Sequence, residues 1–264
     1  MDIARVTCAR SLSATLLAGA LAACGGGGGG AGAATPVAVA STPSPLNLSN
    51  YNDATIWAKQ DGYSNGGNFD VGWRADHATV NGSTLDIRLD NVPCPCSGQP
   101  YASDELDSVS KYGYGTYTVQ MQASASSGTV STFFTYVNTT PGGAETNDEI
   151  DVEIPGARTT TLEATYYKLG VSSGAHVITL PFDASQAIHT YAIQWLPNSI
   201  SWIVDGQTLY TVTGSPATLP TNASNLVLNF WSGNTTGIVN WLGALNYSTP
   251  LHTYYGSASF TPAS

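Results

Sequence analysis

Charge is scarce in this chain, and positive charge is scarcest. Of 264 residues only 10% are charged, with 8 Lys and Arg against 18 Asp and Glu and a formal net charge of -10. So few cations argue against nucleic acid or an anionic lipid surface as a partner, because both are bound through clustered Lys and Arg. Cysteine is scarce as well, limited to Cys8, Cys24, Cys94 and Cys96. His77, His176, His189 and His252 are dispersed without metal-ligand spacing, so no zinc site is expected. No long helical period and no internal repeat appears, which excludes bundles and solenoids. The apolar stretch at residues 12–23 is too short for a standard membrane span.

That stretch instead belongs to a targeting segment. Arg5 and Arg10 supply its basic start, and Leu21-Ala22-Ala23-Cys24 has the form of a bacterial lipobox. The expectation is a signal peptide over residues 1–23, cleavage before Cys24, and lipid attached to that cysteine. The alternative is a plain secretory signal. Several acyl chains together anchor stably by burying methylenes. Residues 24–45 then form a tether of Gly, Ala, Pro, Ser and Thr, too poor in apolar surface to order itself and roughly 25 Å in mean span. The protein is expected to be exported and held at a cell envelope, or secreted if Cys24 carries no lipid. Its only membrane contact is then the anchor. Cys94 and Cys96, in Cys94-Pro95-Cys96, either close a strained local disulfide or remain two thiols.

From residue 46 to 264 one domain, working as a monomer, is expected. Short alternating runs recur between Gly, Asn, Asp and Pro turns, the pattern of an all-β sandwich or barrel. Thr84-Leu85-Asp86-Ile87-Arg88-Leu89 alternates, as does Gly115 through Met121, and Tyr191 through Trp195. Trp202-Ile203-Val204 runs into Asp205-Gly206, a hairpin signal. Trp195 and Trp202 alternate within apolar strands and are expected in the core. With 14 Tyr, 6 Trp and 28 Gly, the chain suits neutral sugars, whose apolar faces stack on rings while hydroxyls meet polar ring ends.

The most informative stretch is Glu149-Ile150-Asp151-Val152-Glu153. On a strand, the three acids share one face while Ile150 and Val152 point into a core. Crowded carboxylates drive their pKa values apart, so one keeps a proton beside an ionised neighbour. Retaining glycosidases use such a pair as nucleophile and general acid/base. The competing reading is an acidic, solvated face of an ordinary strand, with Asp148 and Glu149 in a surface turn.

Around that motif the chain resembles glycoside hydrolase family 16, and within it the bacterial lichenase branch of endo-β-1,3-1,4-glucanases. The resemblance rests on Glu149-Ile150-Asp151-Val152-Glu153 without an inserted residue, on Asp61-Gly62-Tyr63-Ser64-Asn65-Gly66, and on Tyr112-Gly113-Tyr114-Gly115. It extends to Val130 through Tyr136, His189 through Trp195, Asn229-Phe230-Trp231 and Trp241-Leu242-Gly243. It implies a concanavalin-like jelly-roll sandwich of two antiparallel sheets with a concave cleft. It also implies Glu149 as nucleophile, Glu153 as general acid/base and Asp151 between them. The Cα atoms of Glu149 and Glu153 lie roughly 13 Å apart on a strand. Only long side chains leaning together reach the separation of about 5–5.5 Å that retention needs.

The resemblance further implies Tyr63, Asn65, Glu105, Phe134, Tyr136, Tyr167, Asn229, Trp231 and Trp241 as substrate-cleft residues, with Trp231 and Trp241 exposed for stacking and core packing the alternative for Phe134. The implied partner is a β-glucan polysaccharide, and no cofactor is implied. Three positions depart from the pattern. Asp107 stands where an Arg is usual, which replaces donors by acceptors. Asn147 replaces a Trp. Tyr255-Gly256 replaces a Tyr-Asp pair whose Asp helps hold a structural calcium, so that calcium is not expected here. A transglycosylase of the same fold, or a non-catalytic sugar-binding module, are the competing functions.

Overall fold

A computed structural model describes residues 46–92, 97–138, 147–248 and 250–264 of the protein. The signal segment, Cys24, the tether, Cys94 and Cys96 lie outside the described residues. In chain order the strands are β1 (Trp57–Lys59), β2 (Val71–Trp73), β3 (Ala78–Asn81), β4 (Thr84–Leu89), β5 (Tyr101–Ser103), β6 (Glu105–Ser108), β7 (Gly115–Gln122), β8 (Thr129–Asn138), β9 (Asn147–Pro155), β10 (Thr161–Lys168), β11 (Val171–Ser172), β12 (His176–Thr179), β13 (His189–Leu196), β14 (Ser199–Val204), β15 (Gln207–Thr213), β16 (Asn225–Ser232) and β17 (Leu251–Pro262). One short helix, α1 (Thr236–Leu242), precedes β17.

All but β2 and β5, which pair in parallel with each other, build two antiparallel sheets packed face to face. The cleft sheet runs β1-β6-β16-β8-β9-β10-β11, with β12 also on β10. The outer sheet runs β15-β14-β13-β7-β17-β4-β3. The expected jelly-roll sandwich is therefore present, with the acidic strand β9 in the interior of its sheet. Every expected strand forms. Asp205 and Gly206 sit at φ 47 and 79, the double positive φ of a two-residue hairpin turn between β14 and β15.

The core lies between the sheets. Ile150, Val152 and Ile154 of β9 are fully buried, alongside Phe133, Leu226, Leu228 and Phe230 of the neighbouring strands. Facing them are Tyr117, Val119, Met121, Ile193, Trp195, Trp202 and Tyr255 of the outer sheet. Burial of a large side chain contributes about 1.5–3 kcal/mol, so this layer dominates the stability.

Two outer-sheet side chains also bond across that apolar layer to the backbone beneath the cleft. The Trp202 indole N–H donates to the Asp151 carbonyl at 2.7 Å. The Tyr255 hydroxyl reaches the carbonyls of Thr132 at 2.7 Å and Asn229 at 2.9 Å, sharing its one proton between them. Buried carbonyls need donors. These long-range bonds therefore fix the height of the cleft floor above the outer sheet. Trp202→Phe keeps the ring packing but removes the donor. It is expected to lower stability by about 1–3 kcal/mol, read by chemical denaturation; a variant as stable as the parent would show that the indole bond holds nothing.

Candidate active site

Strand parity builds the site. β9 is paired on both sides, with β8 and with β10, so its register places partners for each acid. Across the sheet, one row of side chains on the cleft face is Asn225, Tyr136, Glu149 and Tyr167. The next is Asp107, Val227, Phe134, Asp151 and Thr165. The third is Glu105, Asn229, Thr132, Glu153 and Glu163. Glu149, Asp151 and Glu153 thus share one face, as alternation requires. Glu149 is 8% exposed and Asp151 5%, while Glu153 is half-buried, so the solvated-strand reading does not hold.

Asp148 does not belong to a surface turn. It is fully buried and points away from the cleft. Its carboxylate accepts from the backbone N–H groups of Leu169 (3.0 Å), Thr221 (2.8 Å) and Asn222 (3.0 Å), and from the Asn222 side chain. Lys168 Nζ lies 3.3 Å away. Asp148 therefore pins two loops to the start of β9 and leaves the chemistry to its neighbours.

On the cleft face the acids are held by donors. Asn147 Nδ2 donates to Glu149 Oε2 at 2.6 Å. An ionised carboxylate only accepts, so the amide nitrogen is the group that must face it, and the bond favours the charged form of Glu149. Tyr167 stands opposite Glu149. Burial first, then the charges of Asp151, Glu149 and Glu153, push its hydroxyl pKa far up. The hydroxyl therefore stays protonated, a neutral donor beside three acids. The Thr165 hydroxyl, across from Asp151, is buried with no hydrogen-bond partner in the structure.

The remaining expected residues are gathered on the same face, in differing roles. Phe134, Tyr136 and Val227 form an apolar cluster separate from the main core, with Phe134 and Tyr136 edge to face at 6.4 Å. Phe134 is thus cleft floor, and core packing does not claim it. Glu105 and Asn229 lie on the cleft face but are 0% and 1% exposed. Asn229 Nδ2 donates to Glu105 Oε2 at 2.9 Å and Thr132 donates to Asn229 Oδ1 at 2.6 Å. A buried carboxylate needs such donors, so this pair braces the floor from below. Tyr63 donates to Gln60 Oε1 at 2.7 Å, and Gln60 Nε2 donates to Asp107 Oδ2 at 2.8 Å. Asn65 accepts from the Trp73 indole at 3.1 Å. These residues form the β6 side of the cleft.

Trp231 corrects an expectation. It is only 8% exposed, its ring 4.3 Å from Phe69 and 5.8 Å from Trp241. The glycine-rich segment before Phe69 folds that ring over it, so Trp231 supports Trp241 from the side. Trp241 keeps the half-exposed position. Sequence reasoning missed Gln60, Thr132, Arg158, Glu163 and Thr165. Glu163 and Thr165 were within reach, being four and two residues before Tyr167 on an alternating strand. Gln60 and Arg158 lie in connecting segments and gave no periodic signal.

Comparison with known proteins agrees with this geometry. Residues 65–248 match the model of Glycosyl hydrolases family 16. The β-glucanase of Bacillus licheniformis is 41% identical over 204 residues, 77% of this chain and 79% of its own length. The β-glucanase of Bacillus subtilis (strain 168) is 39% identical over 214 residues, 81% of this chain and 84% of its own length. The solved B. licheniformis β-glucanase superposes with a TM-score of 0.74 at 37% identity, over 84% of this chain and 98% of that one. A prokaryotic β-1,3-1,4-glucanase (lichenase) from a mouse hindgut metagenome gives 0.75 at 34% identity, over 84% and 99%. The matched span contains β9 and every strand that lines its acid face, and on that footing the chain belongs to glycoside hydrolase family 16.

Proposed function

We propose that this glycoside hydrolase is a retaining endo-β-glucanase that cuts internal bonds of a neutral glucan such as mixed-linkage 1,3-1,4-β-glucan. The carrying observation is the trio Glu149, Asp151 and Glu153 on one face of an interior strand, with aromatic and amide groups around it. Six carboxylates share this sheet face, namely Glu105, Asp107, Glu149, Asp151, Glu153 and Glu163. Glu163 is paired with Arg158 and Glu105 is fully buried, but the remaining acids still disfavour a polyanionic chain and suit an uncharged one. The β-glucanase relatives support the same substrate class.

The steps follow from the assignments. Glu149, held by the Asn147 amide, attacks the anomeric carbon as Glu153 gives its proton to the departing glycosidic oxygen. A glycosyl-enzyme ester forms on Glu149. Glu153, now ionised, takes a proton from water, which attacks the anomeric carbon and releases Glu149. Two inversions restore the starting configuration. Asp151, between the two, repels excess negative charge on both and helps set which carboxyl holds the proton. Tyr167, in the row of Glu149, stays protonated and offers a hydroxyl donor beside it.

We infer in addition that Leu21-Ala22-Ala23-Cys24 directs export and lipidation, with residues 24–45 as the tether. The support is the sequence pattern alone.

Incubation with mixed-linkage glucan, laminarin and xyloglucan checks the activity. Shortened oligosaccharides are expected from at least one of them. Glu149→Gln is expected to abolish turnover, and Glu153→Gln to lower kcat by roughly 10²–10⁴, less so on substrates with good leaving groups. Absence of product from every β-glucan would overturn the reading, and products longer than the starting oligosaccharide would convert it to transglycosylation. For the anchor, Cys24→Ala is expected to move the protein from the membrane fraction to the soluble fraction of a bacterial host. An unchanged fractionation would rule the lipid out.

A further inference from the structure

Three side chains beside Glu153 have no part in that mechanism. Glu163 stands directly across from Glu153 on β10, and it is 1% exposed. A buried carboxylate opposite another carboxylate is a costly arrangement unless it is neutralised. Arg158, in the turn between β9 and β10, supplies that charge through Nη2 at 2.8 Å from Glu163 Oε1. The same oxygen accepts from the Trp241 indole N–H at 2.9 Å. Arg158 Nη1 closes the loop by donating to the Trp241 carbonyl at 2.7 Å. The β9–β10 turn, β10 and the distant helix α1 are thus joined at one carboxylate oxygen.

We propose that Arg158 and Glu163 form a charge-neutral clamp that holds the Trp241 ring at the cleft as a sugar platform and sets the protonation of Glu153. Both are positioning residues. The indole bond to Glu163 and the Trp231 ring at 5.8 Å fix Trp241 from two directions. A ring held in place in the free protein loses little freedom when a sugar stacks on it. The electrostatic role follows from the pairing. Glu153 faces Asp151 and Glu149 along its own strand, and Glu163 and Tyr167 on β10. On the β8 side it faces uncharged Thr132, then Asn229 and Glu105 beyond. Arg158 is the cation of this neighbourhood that the structure pairs with Glu163.

The two charges therefore act on Glu153 with opposite sign. Loss of the Arg158 charge leaves Glu163 as an unmatched anion across from Glu153. Like charge favours the protonated form, so the pKa of Glu153 rises. Loss of the Glu163 charge leaves Arg158 unmatched and lowers it. The general acid must be protonated in the free enzyme, so its pKa sets the alkaline limb of kcat/KM against pH.

The test is that profile for Arg158→Gln, Glu163→Gln and the double variant, on whichever β-glucan the enzyme turns over. Arg158→Gln is expected to move the alkaline limb up by about 0.5–1 pH unit and Glu163→Gln to move it down by a similar amount. The double variant returns near the parent. Glu163→Ala, which also frees the Trp241 ring, is expected to raise KM about 3- to 10-fold, while Glu163→Gln retains an acceptor for the indole and raises it less. A limb that stays put in both single variants, or moves the same way in both, overturns the clamp. Should Arg158→Gln fold poorly, the downward shift in Glu163→Gln decides alone. The proposal rests on Glu153 as general acid/base. Survival of parent-level activity in Glu153→Gln would overturn that assignment, whereas an active parent whose limb ignores both charge changes overturns the clamp only.

Discussion

Everything at this site depends on one constraint: β9 is an interior strand whose two faces must satisfy opposite chemistries. Ile150, Val152 and Ile154 fill the space between the sheets, and Glu149, Asp151 and Glu153 occupy the other side. Because side chains alternate strictly, a register slip of one residue would bury three carboxylates and expose the core. The apolar face thus locks the acid face into position. Catalytic geometry is inherited from hydrophobic packing, and no separate device is needed to keep the three acids aligned.

Alignment alone does not make the acids tolerable to one another. Residues of β9 itself, of β16, of two connecting segments and of α1 supply the donors: Asn147 to Glu149, Asn229 to Glu105, Gln60 to Asp107, and Arg158 with Trp241 to Glu163. Most are uncharged. A neutral amide holds a carboxylate in place without pairing it in a way that would quench its nucleophilicity, and it costs little to bury when bonded. From beneath, Trp202 and Tyr255 grip the carbonyls of Asp151, Thr132 and Asn229. The floor is therefore fixed from both faces, which suits a reaction that needs preset geometry.

The sandwich and the acid trio were legible because both are written in a period of two. Phe134, Tyr136 and Tyr167, which the resemblance implied as cleft residues, lie on the same face as the acids. Trp231 was misjudged because its neighbours in sequence are polar while its neighbour in space, Phe69, arrives from a segment more than 150 residues earlier. Asp148 was misjudged for a related reason. Its five hydrogen-bond donors come from residues 168–169 and 221–222, and no local pattern announces a loop that docks from afar. Periodicity reports which way a side chain points, but not what will cover it.

Two of the departures from the family pattern, Asp107 and Asn147, fall on the cleft face, and their placement has a physical logic. Asp107 lies in the row of Asp151 on β6, next to the edge strand β1, where it accepts from Gln60, itself tied to Tyr63. Asn147 begins the row of side chains along β9 itself, where its amide contacts Glu149. Exchange of donors for acceptors at such positions alters which sugar hydroxyls are satisfied while the floor and its core contacts stay intact. Arg158 lies in a turn and Trp241 on a seven-residue helix, so they too can vary without disturbing strand register. The reaction is thus tied to the element that packing cannot release, and the choice of polysaccharide to the elements it can.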